Sequence, residues 1–186
     1  MPNPTHPALT AEDTSQMHEL YRTLHAAPEL SMQEHGTAAL IEERLAALGI
    51  RSFRCGGTGV VGVLANGEGP VVAFRADTDA LPIREDTGLP YASTATGRLE
   101  DGTEVPVMHG CGHDTHVTAL LTTAKLLGRS RDAWAGTVVL LFQPGEETAA
   151  GAAAMVQDGL WDKAPKPDVV LGQHVMPGLA GTIQYA

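Results

Sequence analysis

The chain has 186 residues, 43% of them hydrophobic and 18% charged, with 22 acidic against 12 basic side chains and a formal net charge of −10. That balance describes a soluble globular chain with a sizeable core, and it excludes a general nucleic-acid or membrane-surface binder, because no excess of Lys and Arg meets phosphate charge. Cys55 and Cys111 cannot build a disulfide framework, no apolar run reaches the ~20 residues of a bilayer span, and MPNPTHPALTAEDTS lacks a secretory-signal pattern, so a cytoplasmic setting is expected.

Residues 1–12, rich in Pro and Thr, read as a flexible leader ahead of a domain over residues 13–186. Met17, Leu20, Tyr21 and Leu24 recur at helical spacing and predict a helix over Thr14–Ala26, stopped before Pro28. A second helix is predicted over Gln33–Leu48, with Gly49 as its C′ residue. Gly59–Ala65 and Val71–Ala76 are short apolar runs around Asn66-Gly67, which predicts two strands joined by a hairpin-type turn. The Gly/Pro-rich connection over Leu81–Val107 is long enough to be a functional loop. A helix over Asp114–Leu127, a strand over Thr137–Phe142, a helix over Gly151–Asp158 and a strand over Val169–Leu171 complete the order. This alternation predicts an α/β domain whose mixed, mainly parallel sheet carries helices on both faces.

Ligands of such sheets sit at the loops beyond the C-terminal strand ends, and three of the predicted strands run straight into polar clusters: RADTDALP, PGEET and GQHV. In the glycine-rich turn His109-Gly-Cys111-Gly-His113-Asp114, followed by His116, thiolate and imidazole are good ligands for a borderline metal. Glu146 and Glu147 are adjacent carboxylates, costly to hold in one turn unless a cation sits there. His174 follows the last strand. Asp77 and Asp79, at alternate positions beyond another, could hold a metal, orient a histidine or pair with Arg75. His6, His18, His25 and His35 read as surface or helix-packing residues, and Cys55 as a packed structural thiol.

RADTDALPI, HGCGHDTHVTALLTTAKLL, GTVVLLFQPGEE and GQHVMPGLAGTI, together with HAAPELSMQEHGTAALI, resemble the amidohydrolase branch of the aminoacylase/carboxypeptidase metallopeptidases, in order from about Leu20 onward. That branch contains hippurate hydrolases, N-acyl-amino-acid amidohydrolases and auxin-conjugate hydrolases. The resemblance implies a three-layer α/β/α, zinc-exopeptidase-like domain and a small-molecule N-acyl amino acid substrate. It also implies two divalent metal ions, Zn²⁺ or Mn²⁺ with Co²⁺ or Ni²⁺ as alternatives. It maps Cys111, His113, Glu147 and His174 onto metal ligands, Glu146 onto the general base, and Asp79 onto a supporting aspartate whose role Asp77 could share. Gly145 stands where the family often has Ala. Members of the family continue past GTIQYA into a lid and dimerisation domain and a returning catalytic segment with a last histidine ligand. The chain is thus expected to be the N-terminal part of the catalytic domain, with a homodimer only in a full-length form. The alternative is a truncated metallohydrolase that binds metal without turnover. A thiol hydrolase with Cys111 as nucleophile would leave Glu146-Glu147 unexplained, and a flavodoxin-like binding module would need a phosphate loop that the sequence lacks.

Overall fold

The computed structural model describes residues 8–184; His6 and residues 1–7 of the expected leader lie outside them. Helix α1 (Ala11–Ala26) starts earlier than expected because Thr10 and Asp13 form a capping box, so the leader is already helical at Ala11. The Thr10 hydroxyl accepts the Asp13 N–H at 3.1 Å, and the Asp13 carboxylate accepts the Thr10 N–H at 2.9 Å. Helix α2 (His35–Ala47) and strands β1 (Arg51–Arg54), β2 (Val60–Asn66) and β3 (Val71–Asp77) follow, β1 being a strand that the sequence did not signal. The long connection carries a two-stranded hairpin, β4 (Thr96–Arg98) and β5 (Glu104–Pro106). Helix α3 (His113–Arg129), strand β6 (Gly136–Gln143), helices α4 (Gly151–Gln157) and α5 (Leu160–Lys163) and strand β7 (Val169–Gly172) complete the described order. Asp13 also pairs with Lys125 and Arg129 of α3, so the cap of one helix fastens it to another.

The main sheet has the order β1-β2-β6-β3-β7, with β1, β2 and β6 antiparallel in sequence and β6, β3 and β7 parallel. The expected β2–β3 hairpin does not form. Strand β6 lies between the two, so the chain after Asn66-Gly67 spans two strand spacings, roughly 10 Å, and crosses the start of β6. Gly69 and Gly136 permit that crossing: a Cβ on Gly69 would lie 2.9 Å from the Gly136 Cα. Strand β6 explains the unbroken apolar run TVVLLF, because both of its faces are covered. Val138, Leu140 and Phe142 pack with Ile41, Leu45, Val117 and Leu121 beneath α1–α3. Val139 and Leu141 pack with Met155 and Leu160 beneath α4 and α5. Each fully buried Leu, Ile or Phe of this core contributes about 2–3 kcal/mol, and together they hold the ends of β3 and β6 firmly, whereas β7 is attached by its pairing with β3 and leaves Val169, Val170 and Leu171 exposed. Asp77 of β3 stands beside Gln143 of β6, and Arg75 beside Gly172 of β7. The DTD, PGEE and QHV segments therefore leave the sheet side by side at one edge. No helix among the described residues is long and apolar enough to cross a membrane.

Candidate metal centre

His113 is the hub of this edge. It is fully buried as the first residue of α3, entered through Gly112 in the left-handed conformation (φ 86°). Its Nδ1 lies 2.8 Å from the Asp79 carbonyl oxygen, which can only accept, so Nδ1 carries the proton. Its Nε2 is buried with no hydrogen-bond partner. It faces Asp77 Oδ2 at 3.5 Å and a carboxylate oxygen of each of Glu146 and Glu147 at 3.8 Å. Cys111 Sγ and His174 Nε2 lie 3.3 Å apart beside it. In each of the trios Cys111–His113–His174, His113–Glu146–Glu147 and Asp77–His113–His116, ligand-type atoms lie within 4.8 Å of one another. The structure thus brings together Cys111, His113, Glu146, Glu147 and His174, with Asp77 and Asp79 joined to them through His113. An unpartnered imidazole nitrogen aimed at converging carboxylates, with thiol and imidazole alongside, fits a divalent cation of the Zn²⁺ or Mn²⁺ type.

The electrostatics agree with that fit. Burial and the negative charges of Glu147, Glu146 and Asp77 push the Cys111 thiol up to about 11, so without a neighbouring cation it is a thiol at neutral pH. Burial lowers the His113 pKa, but the hydrogen bond to Asp79 and the charges of Asp77 and Asp79 outweigh it and hold it above the ordinary histidine value. Asp79 is also buried, which by itself raises its pKa. The His113 ring, with Nδ1 3.3 Å from Asp79 Oδ1, and hydrogen bonds from Ser31 and the Glu147 N–H outweigh that and bring it to about 2. The Ser31 hydroxyl donates to Asp79 at 2.6 Å and the Glu147 N–H at 2.9 Å, so Asp79 fixes both the imidazole and the glutamate turn.

Further polar residues support this edge, and Asp77 takes two of the roles expected of it, orienting a histidine and pairing with Arg75. His116, buried one helical turn after His113, has Nδ1 at 2.5 Å from Asp77 Oδ1 and accepts the Val175 N–H at 2.9 Å. It therefore clamps the exposed segment that carries His174. Asp77 serves both His116 and Arg75, the latter at 2.6 Å. Of the two readings of His25, surface or helix-packing, the second holds: it is buried, with Nδ1 2.7 Å from Asp114 and Nε2 3.1 Å from Glu85, which ties the long connection to α1 and the start of α3. His109 is buried with neither ring nitrogen hydrogen-bonded, and burial lowers its pKa to about 4. Cys55 is fully buried, as expected of a packed thiol, with Sγ 3.3 Å from the Met155 carbonyl. Ser31-x-x-Glu34 has the form of a capping box, but neither side chain caps α2. Ser31 serves Asp79, and Glu34 is drawn into the interior.

Comparison with known proteins agrees with this geometry. Residues 73–186 match the model of peptidase family M20/M25/M40. The chain is 44% identical to an N-acetyl-L-cysteine deacetylase of Bacillus subtilis over 171 residues, 90% of this chain and 38% of that protein. It is 41% identical to a hippurate hydrolase of Campylobacter jejuni over 164 residues, 87% of this chain and 40% of that one. The crystal structure of the Bacillus subtilis YXEP protein, described as a dinuclear metal binding peptidase from the M20 family, superposes with a TM-score of 0.81 at 36% identity, covering 92% of this chain and 45% of that one. The chain thus spans less than half the length of these relatives.

Proposed function

The chain belongs to peptidase family M20/M25/M40, and we propose that it is the N-terminal, metal-binding part of an amidohydrolase that cleaves N-acyl amino acids. The observation that carries this reading is the bare His113 Nε2, buried and facing Asp77, Glu146 and Glu147 beside the Cys111–His174 pair. The names of the relatives, an N-acetylcysteine deacetylase and a hippurate hydrolase, supply the substrate class: an acetyl or benzoyl group on the nitrogen of an amino acid.

In this reading Cys111, His113, Glu147 and His174 hold two divalent ions. When bound, such ions polarise an acyl carbonyl and bring water within reach of a carboxylate base near neutral pH. Glu146 takes the proton of the attacking water and passes it to the nitrogen of the leaving amino acid. Its side chain is 37% exposed, open to substrate, whereas that of Glu147 is 23% exposed. Asp79 keeps His113 and the Glu147 backbone in place. The elevated Cys111 pKa opposes the thiol-hydrolase alternative, which needs a thiolate near neutral pH.

Substrate orientation and a further histidine ligand belong, by resemblance, to the part of the relatives that this chain does not match. Residues 1–186 should therefore bind Zn²⁺ weakly, through Cys111, and hydrolyse N-acetyl and N-benzoyl amino acids no faster than a Glu146→Gln control. In a full-length form Glu146→Gln should retain metal and lose nearly all turnover. Metal analysis and rate measurement decide this: loss of metal in Glu146→Gln would make Glu146 a ligand, and retained turnover would move the base elsewhere. Turnover by residues 1–186 well above the control would show that this part is competent alone.

A further inference from the structure

Glu34 is a fully buried carboxyl group, and among the described residues no Lys, Arg or His pairs with it. Burying such a group without a cation is expensive unless donors replace its water. Three do. Oε1 accepts the N–H of Met32 at 2.9 Å and the N–H of Gly145 at 2.8 Å, and Oε2 accepts the Thr58 hydroxyl. These donors come from the segment before α2, the glycine-rich loop between β1 and β2, and the turn after β6.

Gly145 precedes Glu146. Its carbonyl is also occupied, by the N–H groups of Ala150 at 3.0 Å and Gly151 at 3.2 Å. Two residues on, the Glu147 N–H is held by Asp79, which Ser31 in turn holds. The segment from Ser31 to Glu34 thus reaches both ends of the Gly145–Glu147 stretch. Just ahead of it, the Glu29 carbonyl accepts the Ala80 N–H of the DTDA loop at 2.8 Å. Within the segment Met32 has φ 63°, a left-handed conformation that costs a non-glycine residue on the order of 1–2 kcal/mol. Its sulfur sits against Gly145, where a Cβ would come within 2.6 Å of it. A strained residue and an unpaired buried acid, both pressed on the same glycine, hold that glycine in one place.

We propose that Glu34 is a positioning residue: through the Gly145 N–H it sets where Glu146 and Glu147 stand at the metal centre. Its relevance to catalysis rests on the roles proposed above for those two glutamates; its hold on the turn does not.

The test uses the purified 186-residue chain with Glu34→Ala, Glu34→Gln and Glu34→Asp. Ile41→Ala, which opens a cavity in the core beneath α1–α3, is the control for general destabilisation. Two quantities are read: hydrogen–deuterium exchange of the Gly145 and Glu147 amides without metal, and Zn²⁺ affinity by competition with a chromophoric chelator. Glu34→Ala should speed Gly145 exchange at least about tenfold and weaken Zn²⁺ by about 10–100-fold, the range for losing a group that orients a ligand. Glu34→Gln keeps the Oε1 acceptor, and the Thr58 hydroxyl can turn to accept its amide, so both readouts should stay near wild type. Should Glu34→Ala not fold, Glu34→Asp, one methylene too short to reach all three donors, should show the same losses in weaker form. The proposal is overturned if the folded Ala or Asp variant leaves the Gly145 amide as protected as in wild type, or if Ile41→Ala reproduces both losses. Should Cys111→Ser bind Zn²⁺ as tightly as wild type, the metal-centre reading falls, and Gly145 exchange alone supports or overturns the hold of Glu34 on the turn.

Discussion

Replacing His116 with Phe keeps a ring of similar size at a position only 1% exposed and removes both of its hydrogen bonds, to Asp77 and to the Val175 N–H. The Val175 bond fastens the segment bearing His174, whose ring lies 4.7 Å from that of His116. A bond of this kind contributes about 1 kcal/mol, and stranding the Asp77 acceptor costs a further 1–3 kcal/mol or so. Only the Val175 bond holds the docked segment itself; each 1.4 kcal/mol is a factor of ten, so losing about 1 kcal/mol there weakens Zn²⁺ binding about fivefold, while stranding Asp77 lowers the stability of the fold. The assay is competition with a chromophoric chelator at pH 7.5 on wild type, His116→Phe, His174→Ala and the double variant. If His116 acts through His174, the losses are not additive: His174→Ala costs less once His116 is gone. Full additivity, or wild-type affinity in His116→Phe, would refute the clamp.

Asp79→Asn gives a pH signature in metal-free protein. The folded pKa of Asp79 is held at about 2, below its ordinary 3.8, so its stabilisation is complete above about pH 4 and is lost as pH falls through 2. The shift corresponds to about 2 kcal/mol, so the stability gap between wild type and Asp79→Asn in urea unfolding should shrink by about that much from pH 6 to pH 2; a constant gap would contradict it. Alkylation of Cys111 in metal-free protein should keep accelerating up to pH about 11, while buried Cys55 stays unlabelled; a plateau by pH 8 would instead fit a thiol nucleophile. A Cβ at Gly151 would overlap the Pro144 carbonyl oxygen behind the glutamate turn. Gly151→Ala should therefore lower the unfolding free energy by at least about 2 kcal/mol and weaken Zn²⁺ binding, as the two titrations would show.

The chemistry-bearing side chains were legible because they follow strands whose apolar runs are unmistakable, and because glycines at 110 and 112 mark a sharp turn. What holds them was less legible. Asn66-Gly67 does make a turn, with Gly67 at φ 77°, but a turn does not disclose that a strand from seventy positions later will enter between its arms. His25 has the spacing of any helix-surface residue; its burial depends on Asp114 and Glu85, which only the tertiary fold brings to it. Glu34 sits in a local pattern that promises a helix cap, yet a distant backbone N–H claims its carboxylate. In each case a partner remote in sequence decides the placement.

The place of β6 between β2 and β3 also sets an order of events. During synthesis the apolar strands VVGVLAN and VVAFRAD are complete long before residues 136–143 exist. Until then neither has its central partner, and the edge that gathers His113, Asp79 and Glu147 has no platform. Folding must wait for a contact of high sequence separation, which is slow and leaves sticky strands uncovered on the ribosome. Slow decoding after residues 136–143 have emerged, or a chaperone that shields residues 60–77, should therefore raise the yield of soluble chain.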